Sequence, residues 1–358
     1  MKTTINIDST ALGTAACERA FYLTTIGSIN PSTLQSEGGY KQIMGASAIY
    51  GVALHKFIDL MYKTKGDYTF ARSKALTSFN RPKIENKKQK WLNDERHFMG
   101  VCETVWESFC LEDTSFELLE IPMKCWGCEG VGYLKREVTI NTPPEANVNI
   151  TCEVCKGTGI INGPSTELTF KIPFFEDDNV IINLCGTIDK LGKFVNGIFS
   201  IGDWKSTTSW DKELYLDNYA LSRQLRVYRL ALALMAEKNP DSTLGKIGNS
   251  NVGGFIDGIF LSANSLDVKV VRSEVFQFSK EQINEFKQYL MNFCSELSSI
   301  VQLRTRGNKT GILNGACTTI FGRCKFWDVC RHDGPLGDMI LTRDLQRKVY
   351  DPMTFSED

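Results

Sequence analysis

The sequence predicts an α/β fold: a mixed central sheet flanked by helices, with a small cysteine-rich insertion. Three observations point to it. Helical periodicity runs early and late in the chain, apolar runs of strand length lie between, and a segment rich in Cys, Gly, Pro and Asn interrupts them. The chain has 358 residues, 23% charged and 42% hydrophobic, which suits a folded protein and excludes a disordered or collagen-like one. Its 41 basic and 42 acidic side chains leave a formal charge of −1, which argues against a protein that coats nucleic acid but leaves room for a local basic groove.

The elements follow in order. From Tyr40 to Phe116 the pattern is mostly helical: Leu54, Phe57, Ile58 and Met61 recur at helical spacing, then Trp91, Phe98, Val101, Val105 and Phe109. Pro82 and the basic run Lys83 to Lys90 mark a connector. Phe116 to Ile121 and Glu167 to Phe175 read as strands. Val180 to Leu184, broken only by Asn183, reads as a mostly buried strand leading into Gly186 to Lys190, and Gly197 to Asp203 returns as the second arm of a hairpin. Leu214 to Ala236 predicts a helix with Leu221, Leu225, Tyr228, Leu232 and Met235 on its apolar side. Phe255 to Leu261 and Val268 to Phe276 predict further strands. Glu281 to Leu303 predicts a long amphipathic helix, its stripe Ile283, Phe286, Leu290, Phe293, Leu297 and Ile300.

No stretch approaches the roughly 18 apolar residues that a membrane span needs. Met1 to Thr14 carries Asp8 and no continuous apolar run, so no signal peptide is expected there. The expected location is cytoplasmic, a reducing compartment in which clustered cysteines point to metal rather than to disulfides.

Twelve cysteines and only three histidines are present. Cys125-Trp-Gly-Cys128-Glu-Gly-Val-Gly132 and Cys152-Glu-Val-Cys155-Lys-Gly-Thr-Gly159 repeat one pattern. Two residues between thiolates let both sulfurs reach one tetrahedral zinc, and the glycines permit the positive-φ turn beneath it. The pair resembles the knuckles of the DnaJ-type zinc region, which implies a closed structural Zn2+ site of Cys125, Cys128, Cys152 and Cys155, without catalysis.

The second pattern is Gly186-Thr-Ile-Asp189-Lys-Leu, then Ile201-Gly-Asp203-Trp-Lys205-Ser-Thr-Thr. Two carboxylates at the ends of adjacent strands can converge on a hard cation such as magnesium. Asp203 and Lys205, two apart, share one face of a strand, and a lysine there can position water or offset charge on a phosphate. An Asp-x-Lys alone is usually a solvated surface pair; the apolar strands on either side and the matching Asp189 set this one apart.

These residues resemble the RecB-like branch of the PD-(D/E)XK nuclease superfamily. Gly51-Val-Ala-Leu-His55 is similar to its Gly-x-x-x-His helix motif, Glu167 stands where that branch often carries an acid, and Gln224-Leu-Arg-Val-Tyr228 is similar to its Gln-x-x-x-Tyr helix. The resemblance implies a restriction-endonuclease-like fold and metal-dependent hydrolysis of phosphodiesters. His55, Asp189, Asp203 and the Trp204 carbonyl would hold Mg2+ or Mn2+, and Lys205 would orient the attacking water. Gln224 and Tyr228 would face the active centre or the nucleic acid. Arg223, Arg226 and Arg229, every third residue, would contact the DNA backbone or form a solvated helix edge.

Near the C-terminus stand Cys317, Cys324 and Cys330, and Cys17 precedes an aromatic pair near the N-terminus. The set resembles that of RecB-like nucleases with a [4Fe–4S] cluster, of the AddB and CRISPR-associated type, which implies a staple joining the chain ends. Here six residues separate Cys317 from Cys324, where the family often has two, so zinc or free thiols remain alternatives. Cys102, Cys110, Cys185 and Cys294 read as core residues. The expected organisation is a nuclease domain of residues 1–118 and 165–358 with a zinc module at 119–164. The expected activity is a DNA exonuclease acting on single strands or ends in recombination, replication or repair. A structure-specific endonuclease or a non-catalytic DNA-binding or assembly subunit is the alternative. The lack of a Walker A motif points to a bacteriophage or mobile-element protein whose helicase, recombinase or single-strand-binding protein is a separate partner.

Overall fold

The computed structural model describes residues 2–13, 17–26, 36, 39–41, 45–81, 89–107, 114–125, 131, 133–136, 148–209, 211–262, 266–303, 317–319, 322–332 and 334–348. Strand β1 (Thr3–Ile7) is followed by helices α1 (Glu18–Thr25), α2 (Ala46–Lys63), α3 (Tyr68–Phe79) and α4 (Glu95–Val105). Asp67 and Asp94 cap the last two: their carboxylates accept from the amides of Phe70 at 3.0 Å and Arg96 at 2.9 Å. The helical region therefore forms as expected, although Phe109 and the connector at 82–88 lie outside the described residues. Then come β2 (Phe116–Leu118), β3 (Thr166–Glu176), β4 (Val180–Phe194), β5 (Phe199–Thr207), α5 (Arg223–Lys238), β6 (Val252–Leu261), β7 (Val268–Arg272), β8 (Phe276–Gln277) and α6 (Lys280–Gln302). The chain continues into α7 (Trp327–His332) and α8 (Gly334–Asp344).

The β strands form one mixed eight-stranded sheet along the path β1-β4-β5-β6-β7, with β2 and β3 also on β4 and β8 on β6. β1 runs parallel to β4 and β5 parallel to β6; the β4–β5 hairpin is antiparallel and turns at Gly197, φ +88°. β4 is longer than its apolar run suggests. It continues through Asn183, whose amide donates to the Asn6 side chain at 3.0 Å on β1, so the polar residue is paired within the sheet.

Two expected elements divide. The helix expected from Leu214 is a short helix, Lys212–Asp217, followed by α5, which starts after Ser222; the Ser222 hydroxyl accepts from the Leu225 amide at 3.5 Å. This cap overrides the periodicity and leaves Leu221 75% exposed. The strand expected over Val268–Phe276 is β7 and β8, both paired with β6.

Two cores cover the two faces of the sheet. α2, α3 and α4 pack with Trp204, Ile259 and Leu261, whereas α1, α5 and α6 pack with Ile182, Ile188, Ile201 and Ile256. The alternation of Ile256 and Ile259 along β6 follows from strand geometry. α2 buries Tyr50, Leu54, Phe57, Ile58 and Met61, each stabilising by roughly 1.5–3 kcal/mol, and so seats His55 over the sheet. The region from 119 to 164 has its own ladders, Glu120–Lys124 with Ile160–Pro164 and Tyr133–Arg136 with Val148–Thr151, and its own small cluster of Cys125, Cys152 and Cys155. Gln346–Lys348 pairs with Gly39–Lys41, tying the late chain to the early chain.

Candidate active site

The site lies at a gap in the sheet. Ile182 of β4 pairs with both β1 and β3, and Lys190 with both β3 and β5, so β1 and β5 occupy the same edge of β4. β1 ends at Ile7, paired with Leu184, and β5 reaches β4 only at Gly202↔Lys190, which leaves Cys185 to Asp189 without a strand on that edge among the described residues. Asp189 and Asp203 are the first residues past the last paired rung. Asp189 is held there by the Trp204 amide, which donates to its Oδ2 at 2.8 Å.

Helices reach this gap from both faces. His55 on α2 brings Nδ1 to 3.4 Å from Asp189 Oδ2 and packs edge-on to Trp204. Gly51, one turn earlier, allows the approach: a Cβ there would lie 3.1 Å from Ser206 Oγ at the end of β5. From the other face, Gln224 on α5 donates from Nε2 to Asp203 Oδ1 at 2.8 Å and to the Tyr228 hydroxyl at 2.6 Å. Lys205 forms an ion pair with Asp203 Oδ2. Glu167 falls opposite Asp189, between the pairs Thr166↔Lys190 and Leu168↔Ile188, with φ +50°. A non-glycine residue is costly in that region, by about 1–3 kcal/mol, and such strain tends to mark functional positions. His55, Glu167 and Asp189 each offer a ligand atom within 4.8 Å of the others.

The profile of the PD-(D/E)XK nuclease superfamily matches residues 10–331. The chain belongs to the PD-(D/E)XK nuclease superfamily. It is thus a metal-dependent nuclease, and DNA is the substrate that membership indicates. A search of curated proteins finds no match to it.

The electrostatics of this PD-(D/E)XK site suit a cation. Burial drives the Asp203 carboxyl up to about 6, with Lys205 pulling against it and Asp189 adding to it. Burial also raises Asp189, against the pull of Lys205 and the Trp204 amide; it raises Glu167 well above the carboxylate range, helped by Asp189 and Asp59. His55 falls to about 4, through burial and then the Lys205 charge, so its ring is neutral and able to ligate at neutral pH. For Lys205 burial works downward, but Asp203 and Asp189 outweigh it and hold the ammonium above its ordinary value. Clustered oxygen donors, under-compensated in a buried place, together with one neutral imidazole, fit a hard divalent cation.

Sequence reasoning missed three neighbours. Asp59, one turn after His55 and 2% exposed, accepts from Thr166 Oγ1 at 2.6 Å and pairs with Lys63 at 2.6 Å. An acid four residues after the histidine, in an otherwise apolar helix, was the available signal. Tyr215 and Tyr219, with hydroxyls 3.2 Å apart, border Lys205 and Asp203.

The arginines on α5 require a correction. Arg229 is turned into the protein, 5% exposed, and donates to the carbonyls of Gly248 at 3.1 Å and Ser250 at 3.2 Å. Its position on α5 faces the core, so it is a structural tie and not a DNA contact. Arg223 donates to the Leu12 carbonyl at 2.7 Å, and Arg226 is partly buried.

Cys125 and Cys152 have their sulfurs 3.8 Å apart, and Cys155 joins them within 4.8 Å. Two thiolates at about 2.3 Å from one tetrahedral zinc would be separated by about 3.8 Å, so the spacing fits. The Gly159 amide donates to Cys155 Sγ at 3.3 Å, and Gly157 and Gly159 have the expected positive φ, which Lys156 shares. Cys128 lies outside the described residues. In the other set, the Cys317 thiol is pushed up by burial and then by Cys17 and Cys324, which are therefore its neighbours. Cys17, Cys324 and Cys330 all meet the same core. Cys102, Cys185 and Cys294 are buried, and Cys110 lies outside the described residues. No helix among the described residues is long and apolar enough to cross a membrane.

Proposed function

We propose that the protein is a DNA exonuclease of the RecB-like branch, acting on single strands or DNA ends in recombination, replication or repair. The observation that carries the reading is the convergence of His55, Glu167 and Asp189 within 4.8 Å of one another, beside the Asp203–Lys205 pair, at the gap in the sheet. His55, Glu167, Asp189, Asp203 and the Trp204 carbonyl would hold Mg2+ or Mn2+. When bound, such an ion supplies Lewis acidity at the scissile phosphate. Lys205 orients the attacking water with its ammonium and offsets the charge that grows on the phosphate. Gln224 keeps Asp203 in place by occupying its Oδ1, and Tyr228 fixes the Gln224 amide in turn. Arg223 and Arg226, on the same helix α5, are the DNA contacts in this reading.

The remaining metals are architectural in this reading. Cys125, Cys128, Cys152 and Cys155 bind zinc in a module at 119–164 inserted into the nuclease domain. Cys17, Cys317, Cys324 and Cys330 bind a [4Fe–4S] cluster that joins the two ends of the chain. The protein acts in the cytoplasm of a bacterial or phage-infected cell, with a helicase, recombinase or single-strand-binding protein as a separate partner.

The test is end-labelled single- and double-stranded DNA, and a closed single-stranded circle, incubated with manganese. Asp203→Ala and Lys205→Ala serve as controls. Loss of linear substrate but not of the circle is the expected result. Cutting of the circle would favour an endonuclease, and no cutting, or equal cutting by the variants, would refute the assignment. A brown anaerobic preparation with one zinc per chain supports the cofactor assignment; a colourless one containing only zinc rejects the cluster.

A further inference from the structure

We infer that Lys190, Asp257 and Arg272 form a buried clamp that positions the strand carrying Asp203 and Lys205. Lys190 is 2% exposed and Asp257 is fully buried, yet neither belongs to the metal site. The Lys190 ammonium pairs with Asp257 Oδ2, and Arg272 donates to the same carboxylate from Nε at 2.8 Å and Nη2 at 3.0 Å. Lys190 stands on β4, Asp257 on β6 and Arg272 on β7, so the cluster spans the four neighbouring strands from β4 to β7, β5 among them.

The route of Lys190 shows what is clamped. Its rung partner on β5 is Gly202, and a Cβ at Gly202 would lie 2.4 Å from Lys190 Cε and 2.6 Å from Phe255 Cζ. The lysine therefore passes over β5 at a residue with no side chain and reaches Asp257, whose own partner on β5 is Trp204. On a strand, Gly202 and Trp204 face opposite to Asp203 and Lys205, so the clamp lies on the reverse of the catalytic segment. The Lys190 ammonium also sits 5.2 Å from the Trp204 ring centroid and 5.0 Å from that of Phe255. The Trp204 amide in turn holds Asp189. Fixing this ring and rung fixes both carboxylates at the place where the β4–β5 ladder stops and cannot hold them itself. The glycine in Gly-Asp-Trp-Lys is thus required by the lysine of Asp-Lys.

The inference rests on the proposed metal-dependent hydrolysis, and makes Lys190 a positioning residue rather than a catalytic one. Lys190→Met keeps an unbranched side chain that lacks only the terminal ammonium position and leaves Asp257 neutralised by Arg272, so the fold is expected to survive. The full-length variant is compared with wild type by melting temperature without metal, Mn2+ affinity from the electron paramagnetic resonance of free Mn2+, and kcat and KM on labelled DNA. Expected are a melting temperature close to wild type, about tenfold weaker Mn2+ binding, a kcat lower by about tenfold and an unchanged KM. Gly202→Ala is expected to show the same losses of Mn2+ affinity and kcat at a lower melting temperature, since its Cβ meets Lys190 and the buried Phe255 ring, and adding Lys190→Met to it is expected to cost little more activity, because both changes break one clamp. Unchanged Mn2+ affinity and kcat in Lys190→Met, with Asp203→Ala inactive, would overturn the clamp and leave the nuclease reading standing. A collapse in melting temperature that accounts for all the lost activity would make the cluster merely structural and also overturn it. Wild type that neither binds Mn2+ nor cuts DNA would sink both.

Discussion

Replacing Asp203 with asparagine should make the metal-free protein more stable at neutral pH while destroying its response to metal. The Asp203 carboxyl is completely buried and titrates at about 6, against 3.8 for an unperturbed aspartate. A raised carboxylate favours the folded state below its unfolded value, and that advantage is lost as pH rises through the folded value. The shift corresponds to about 3 kcal/mol, absent at pH 3.5 and fully expressed by pH 7.5. Asparagine has nearly the same shape, can still accept from Gln224, and carries no charge to bury. Relative to wild type, the variant should therefore gain about 3 kcal/mol between pH 3.5 and pH 7.5, whatever constant packing difference it carries. For a chain of this length that is a relative rise of roughly 4 °C in melting temperature, from the usual unfolding entropy per residue. The assay is a pair of thermal melts in EDTA at the two pH values, repeated at pH 7.5 with Mn2+. Wild type should be stabilised by Mn2+ and the variant hardly at all. A variant that loses stability relative to wild type on going to pH 7.5 would refute the reasoning, because Asp203 would then be a net stabilising charge.

The stabilisation that Mn2+ gives wild type should itself grow from pH 5 to pH 7.5, since ligation needs His55 neutral (titrating at about 4) and Asp203 ionised (about 6); melting with and without Mn2+ reads this directly. Lys205→Met should lower kcat by at least a hundredfold yet leave Mn2+ binding in place, because it removes charge stabilisation and not a ligand; single-turnover cleavage and Mn2+ titration separate the two. Glu167→Gly should weaken Mn2+ binding as much as Glu167→Ala but be the more stable of the two, because only glycine relieves φ +50°; paired denaturant melts measure the difference. Cys152→Ser should release zinc and open the region from 119 to 164 to protease while the melt of the main core is unchanged, since the three described cysteines have a core of their own.

Much of this arrangement could be read from the chain because the chemistry needs residue types at fixed short spacings. Asp203 and Lys205 two apart, Gly51 and His55 four apart, and Gln224 and Tyr228 four apart each encode a shared face of a strand or helix. What could not be read depends on long-range placement. The gap in the sheet arises because β1 stops opposite Leu184 and β5 joins opposite Lys190, a relation that brings the first strand of the chain beside a hairpin more than 170 residues later. Arg229 looked like its neighbours Arg223 and Arg226, yet its angular position on α5 turns it inward to the Gly248 and Ser250 carbonyls. Lys190 and Asp257 look like ordinary strand charges until the register brings them together over Gly202. The early end of α5 was lost to a single hydroxyl, that of Ser222, which capped a helix where periodicity would have continued one.

The gap also explains why charges of this density are tolerated. In a continuous sheet, Asp189 and Asp203 would stand among the side chains of adjacent rungs on the same face, and each carboxylate would need a neutral or cationic partner there. Here the ladder stops one residue short, so the partners come from elsewhere: the Trp204 amide and His55 for Asp189, Gln224 and Lys205 for Asp203. Those partners do not fully compensate, since burial still pushes Asp189, Asp203 and Glu167 toward protonation. The deficit is local and lies at the one place where two core-packed helices and the ends of strands converge. A divalent cation would reverse the sign of that deficit, turning the buried carboxylates from a cost into the binding energy of the ion. The protein therefore gives up some stability at rest for a site that is completed by metal, and the two helical layers, each with its own core, supply the rigidity that keeps the incomplete site from collapsing.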